Sequence, residues 1–285
     1  MNIALFAALT LRELVRRKLV IAVAILVAII VAFTGWGLHR LATAVVNGAP
    51  IAQPGVRATA AGIVMLLAFL FTFVLALGAA LIGAPALAES IANGEILALL
   101  ARPLRRAEVV AGRWLGTLVA LAGFVLVAGG AELLVVRAMT GYVPPHPAIA
   151  LAYLCGVAAV VSTAAIALAS RLPAIAAGII AALLFGLAWI GGILQSIGQL
   201  FGNTSLADAG TVMSLVFPSD ALWRGALFAL QPAVFTAAVA AANAAAVPSP
   251  FNVTAPPPPA MLCWSAGWIA AVFAAAVASF RGRDL

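Results

Sequence analysis

AAGIVMLLAFLFTFVLALGAALIG, residues 60–83, contains no charged side chain, no Asn and no Gln. A helix rises about 1.5 Å per residue, so a run of this length crosses a hydrocarbon layer of about 30 Å with turns to spare. Strands of a transmembrane barrel would be about 10 residues long and would alternate apolar with polar. This run does neither. The same texture returns at residues 19–38, 115–136, 148–169, 174–197 and 260–280. The expected fold is therefore an all-α integral membrane protein with six transmembrane helices, forming one transmembrane domain over residues 1–285.

Composition agrees. The 285 residues are 66% hydrophobic and 8% charged, whereas a soluble domain is about one-quarter charged. The net charge of +7 would suggest nucleic acid in a soluble protein, but cytoplasmic loops of membrane proteins collect Lys and Arg. With the N-terminus inside, the inner side holds Arg12, Arg16, Arg17, Lys18, Arg102, Arg105, Arg106, Arg113, Arg171, Arg281 and Arg283. The outer side holds only Arg40, Arg57, Arg137 and Arg224. That asymmetry places both termini in the cytoplasm, with the protein in the cell (inner) membrane, and leaves no role for nucleic acid. The first apolar run is too long for the h-region of a cleaved signal and is expected to be retained. Residues 226–247 form a further apolar run that could make a seventh span. Gln231, Pro232 and Asn243 inside it favour instead short, re-entrant helices within an outer segment, residues 198–259.

Residues 1–18 read as an interfacial helix, with Thr10, Arg12, Glu13, Arg16 and Arg17 on one face and Leu11, Leu14 and Val15 on the other. The inner segment, residues 84–113, is the most polar long stretch of the chain. Pro85 is expected to end or kink the second span. Glu89, Ser90, Asn93 and Glu95 then form a short polar segment with Gly94 as a breaker, and Pro103 stops a second short helix. A new helix is expected from about Ala107, with Glu108 in its first turn where the helix dipole favours an acid. Arg102, Arg105 and Arg106 lie beside the headgroups, as do Arg12, Arg16, Arg17 and Lys18, and read as lipid-headgroup anchors.

The pattern Glu89, Gly94, then Leu99-Leu100-Ala101-Arg102-Pro103, Arg105-Arg106 and Gly112-Arg113 resembles the coupling segment of permease subunits of exporter-type ("type 2") ATP-binding-cassette transporters. FPSDALWRGALFALQP, residues 217–232, resembles that family's outer segment. The Pro-rich approach to the last span and the C-terminal SFRGRDL resemble its counterparts too. The resemblance covers essentially the whole chain. It implies a coupling helix between spans two and three, with Glu89, Ser90, Asn93, Gly94 and Glu95 contacting a separate ATPase subunit. It further implies a second permease subunit, a homodimer in the simplest case, with spans two and five at the dimer interface.

The sequence has one lysine, Lys18, and no G-x4-G-K-[ST] phosphate cradle. The expectation is a transport subunit without catalytic residues or cofactor of its own, with ATP and Mg bound by the partner ATPase. His39 and His146 stand alone at outer positions, and no metal-ligand spacing occurs. Cys155 and Cys263 read as small hydrophobes within spans. Glu132 is the one acid inside a span; placed near the outer end, it reads as snorkelling toward Arg137 rather than as a functional group. Asp220 and Arg224 have the spacing of an intrahelical pair; beside Trp223 they read as an interface-anchored helix, with an outer gate as the alternative. Two other classes compete with the exporter reading: a stand-alone channel or ion-coupled transporter, and a membrane assembly scaffold. Ion-coupled transporters place polar relays at midplane, and these midplanes are apolar. A pathway of this kind suits lipids, hydrophobic drugs or other amphipaths.

Overall fold

A computed structural model of the chain describes residues 2–16, 18–46, 49–92, 106–232, 253 and 255–282. Its elements run α1 (Asn2–Arg16), α2 (Lys18–Ala42), β1 (Val45–Val46), β2 (Ala49–Pro50) and α3 (Gln53–Ala92). They continue with α4 (Arg106–Phe124), a π-helical turn (Val125–Gly129), α5 (Gly130–Thr140) and α6 (Pro147–Ala169). The last are α7 (Ala174–Leu200), α8 (Thr204–Val216), α9 (Ser219–Leu230) and α10 (Pro259–Arg281). Among the described residues six helical stretches are long and apolar enough to cross a membrane: most of α2 and α3, the α4–α5 unit, α6, α7 and α10. The two strands are a two-residue antiparallel pair, with Val45 opposite Pro50. The molecule is an all-α membrane protein, as the apolar runs dictate.

One feature differs from the sequence expectation. Pro85 does not end the second span: α3 continues through it to Ala92 and carries Glu89 and Ser90 as helix. Proline removes one backbone hydrogen bond, and in a packed transmembrane bundle neighbouring helices support the break. Gln231 is extended (ψ 131°) and closes α9 at Leu230, so residues 226–247 do not form a single helix. Residues 233–252 lie outside the described residues.

At the centre stands α6. It packs against α3, α4, α7, α9 and α10, and Val157, Val160, Val161, Ala165 and Ala169 are completely buried. Small residues let the backbones close in. A β-carbon on Gly83 of α3 would stand 3.2 Å from the Ser162 carbonyl oxygen, and one on Gly225 of α9 would stand 2.6 Å from the Tyr153 ring. In lipid such close approach, rather than expulsion of water, holds helices together.

The N-terminal helix is built on the same device. Phe6, Thr10 and Leu14 of α1 are buried against α4. Thr10 therefore belongs to the packing face, not to the polar face assigned from the helical wheel, and its hydroxyl is satisfied by the Phe6 carbonyl at 2.9 Å. A β-carbon on Gly112 would stand 2.2 Å from Phe6 Cβ, and one on Gly116 would stand 2.7 Å from the Ala7 carbonyl oxygen. Gly123, farther along α4, has nothing within 4 Å. Gly116→Ala is expected to destabilise the protein by about 1–3 kcal/mol through overpacking. Gly123→Ala should be neutral or stabilising, because Ala exceeds Gly in helix propensity by about 1 kcal/mol. Unfolding of the two variants in the same detergent checks the contrast.

Candidate functional site

The polar side chains gather at the two ends of the bundle. At one end, Arg106 at the start of α4 donates from Nη1 to the Arg281 carbonyl at 3.1 Å. Arg171, after α6, donates from Nε to Ser279 Oγ at 2.8 Å, and Ser170 Oγ lies 2.9 Å from the same hydroxyl. These contacts bring together the N-terminus of α4 and the C-termini of α6 and α10. The C-terminal turns of α3, with Glu89, belong to this end by helix polarity. Glu108 sits in the first turn of α4, where it faces the positive pole of the helix dipole.

Of the residues expected to contact an ATPase, Glu89 is half-buried and helical and Ser90 is helical. Asn93, Gly94 and Glu95 lie outside the described residues, as do Arg102 and Arg105 of the anchor set. Arg12 is exposed on α1, Arg16 is its last residue, Lys18 opens α2, and Arg17 lies outside the described residues. The Gly112-Arg113 pair that closes the sequence pattern has a local explanation. Gly112 admits α1, and Arg113, only 7% exposed, donates from Nη1 to Glu13 Oε2 of α1 at 2.6 Å. A buried guanidinium needs a fixed anion, and Glu13 supplies it across the helix pair. The sequence reading put Glu13 on a generic polar face; its partner lay too far along the chain to be seen.

At the opposite end the chain makes a helical hairpin that turns back into the bundle. α7 ends at Leu200, Gly202 takes a left-handed φ of 63°, and Asn203 Oδ1 accepts the Leu206 N–H at 3.1 Å to start α8. α8 then returns along α7. β-carbons on Gly198, Gly210 and Gly191 would stand 2.4, 2.4 and 2.5 Å from Ala207 N, the Gly191 carbonyl oxygen and Met213 Cβ respectively. The carbonyls of Leu215 and Val216 at its far end each accept an indole N–H, from Trp264 and Trp268 of α10, at 2.9 Å. α9 climbs back along α6: Leu222 packs on Gly156, and the Ala229 carbonyl accepts the His146 N–H at 3.1 Å. Tyr142 donates its hydroxyl to the Leu230 carbonyl at 3.0 Å, and burial pushes its pKa up to about 12.

Asp220 and Arg224 sit near the tip of this hairpin. Asp220 is 5% exposed, and Arg224 donates from Nε to its Oδ2 at 2.8 Å. Arg224 Nη2 also donates to Ser196 Oγ at 3.0 Å and to the Gly192 carbonyl. The pair is therefore a clasp between α9 and α7, its carboxylate buried and its guanidinium part-buried. Gly192 is required beside it, because a β-carbon there would stand 2.3 Å from the Asp220 carboxylate. On α7, Gly191 and Gly192 thus admit close neighbours, while Gly186 faces open space.

The third polar position is Glu132, on α5. It does not snorkel at the helix end. The helix runs on to Thr140, about 12 Å of rise beyond it, and its carboxylate hydrogen-bonds Thr34 of α2. His39 is exposed in the last turn of α2 and His146 is exposed before α6; Cys155 is half-buried and Cys263 faces outward. Among the described residues no group of three or more His, Cys, Asp or Glu could hold a metal ion.

A family model described as ABC-2 family transporter protein matches residues 5–285. No curated protein matches the chain.

Arg224→Leu leaves the Asp220 carboxylate buried without a counter-charge and is expected to cost about 3–5 kcal/mol. Asp220→Asn combined with Arg224→Leu should recover most of that loss. A double-mutant cycle on unfolding in detergent checks it.

Proposed function

The chain belongs to the ABC-2 transporter family, and from that premise we propose that this multi-pass membrane protein is the permease subunit of an ATP-binding-cassette exporter driven by a separate ATPase subunit. The observation that carries the proposal is the family match across residues 5–285. Glu89, Ser90, Asn93, Gly94 and Glu95 form the ATPase contact on the cytoplasmic side, and ATP and Mg are bound by the partner. Both termini are cytoplasmic and the membrane is the inner membrane. Arg12, Arg16, Arg17, Lys18, Arg102, Arg105 and Arg106 hold lipid headgroups, with α1 lying along the inner surface.

The geometry supports a lever for this coupling. Because α3 continues without a break past Pro85, displacement of its Glu89 end moves the whole second span. The Glu13–Arg113 pair ties α1 to the start of the third span. Closure of two ATPase subunits would drive these rigid elements between inward-open and outward-open arrangements, and nucleotide supplies the differential free energy. A permease of this size lines one side of a pathway, so two copies work together. The adjoining outer faces of α3 and α7 suit that role: Leu70, Leu77, Leu81, Ile179, Leu183 and Leu187 are exposed along them. The Asp220–Arg224 clasp acts as an outer gate that holds the hairpin against α7.

Mild-detergent purification from the native host, followed by mass spectrometry, is expected to recover a stoichiometric P-loop ATPase. Charge reversal by Glu89→Lys and Glu95→Lys together should weaken that association at least tenfold, about 1.4 kcal/mol. Retention of binding and of stimulated ATP turnover in the double variant would refute the contact assignment. Recovery of the chain without an ATPase would favour a stand-alone channel or scaffold.

A further inference from the structure

Between α2 and the rest of the bundle lies an apolar cavity of about 230 Å³. It exists because α2 packs along α5 but only lightly on α3. Val27 and Val31 of α2 form one wall, and Phe71 of α3, stacked on Phe124 of α4 at 5.4 Å, forms another. The π-helical turn supplies Ala128 and Gly129, and Leu154 of α6 closes the back. Along α2 the lining starts at Val23, and Thr34 lies about 16 Å of helical rise farther on. That is roughly half of a hydrocarbon core of about 30 Å, the length of one leaflet.

Every lining residue but one is apolar or glycine. The exception is Glu132. Thr34 hydrogen-bonds its carboxylate, yet Oε1 is buried and has no hydrogen-bond partner among the described residues. A buried carboxylate oxygen without a donor is costly in an apolar setting. The five-residue π turn lies just ahead of it, and such turns recur at functional sites because the extra residue redirects the side chains that follow.

The geometry points to a lipid-binding site: an amine-headed amphipath from the bilayer, its tail in the cleft between α2 and α3 and its ammonium donating to Glu132. The tail matches the apolar walls and the leaflet-length reach. The cationic head matches the single anion and supplies the missing donor, whereas an anionic head would be repelled. A neutral alcohol could donate but would lack the charge, and charge-assisted hydrogen bonds are roughly twice as strong as neutral ones. The inference concerns binding alone and does not depend on an ATPase, so either reading can fail without the other.

The test uses the full-length protein in phosphatidylcholine nanodiscs, labelled with three diazirine-bearing probes of the same chain length: hexadecylamine, hexadecanol and hexadecyl sulfate. Wild-type protein is expected to be labelled by the amine at Val27 and Phe71, about tenfold more than by the sulfate at equal concentration, as one charge-assisted contact predicts. Glu132→Gln should reduce amine labelling to the level of the alcohol and leave alcohol labelling unchanged. Val27→Trp, on the peripheral helix, should fill the cleft and lower labelling by amine and alcohol alike. Equal labelling of wild type by amine and sulfate would overturn the proposal, and that comparison needs no variant. So would an amine preference that survives Glu132→Gln, or labelling confined to surfaces away from the cleft.

Discussion

Close backbone approach at small residues, centred on α6, is the constraint on which this structure depends. Within a bilayer, apolar side chains gain little by leaving lipid for protein, so packing must come from surfaces that fit at short range. Gly83 against Ser162, Gly156 beneath Leu222 and Gly225 beneath Tyr153 bring α3 and α9 onto α6. Several polar groups buried in the bundle are satisfied locally. Thr163 is one example: its hydroxyl donates to the Ala159 carbonyl at 2.6 Å and accepts the Trp114 indole N–H at 2.8 Å. A bundle assembled this way presents a nearly continuous aliphatic exterior, seen along α2, where Ile25, Ile29, Phe33 and Trp36 are all exposed.

Two ion pairs bind distant elements together. Glu13–Arg113 fastens the N-terminal helix at one end, and Asp220–Arg224 fastens the turned-back hairpin near the other. Each joins elements distant in sequence through glycines that permit contact, Gly112 and Gly116 in the first case and Gly192 in the second. Loss of one charge from such a pair is worse than loss of both, because a lone ion in a low-dielectric interior has neither water nor counter-charge. Glu132 departs from this economy, with a buried carboxylate oxygen facing an apolar cleft. Its exceptional position is what gives the α2–α3 cleft its chemical character.

The two ends are therefore built differently. At the Glu89 end, α3 continues as helix to Ala92, and the start of α4 and the ends of α6 and α10 are cross-linked by Arg106, Arg171 and Ser279. At the hairpin end, Arg224 of α9 ties that helix to α7 through Ser196 and the Gly192 carbonyl.

The sequence by itself determined the six spans found among the described residues and their helical nature, because both follow from local length and hydropathy. It also placed the start of α4 near Ala107 with Glu108 in its first turn, and the break at Gln231 and Pro232, since caps and prolines act within a few residues. Only the tertiary structure decided which polar side chains meet. Glu13 and Arg113, Asp220 and Gly192, and Glu132 and Thr34 are pairs set by helix packing, and no local pattern encodes them. It also decided that Pro85 is carried within a helix, that Thr10 faces inward, and that Glu132 lies well inside the span. Each of these depends on what the neighbouring helices offer in place of water.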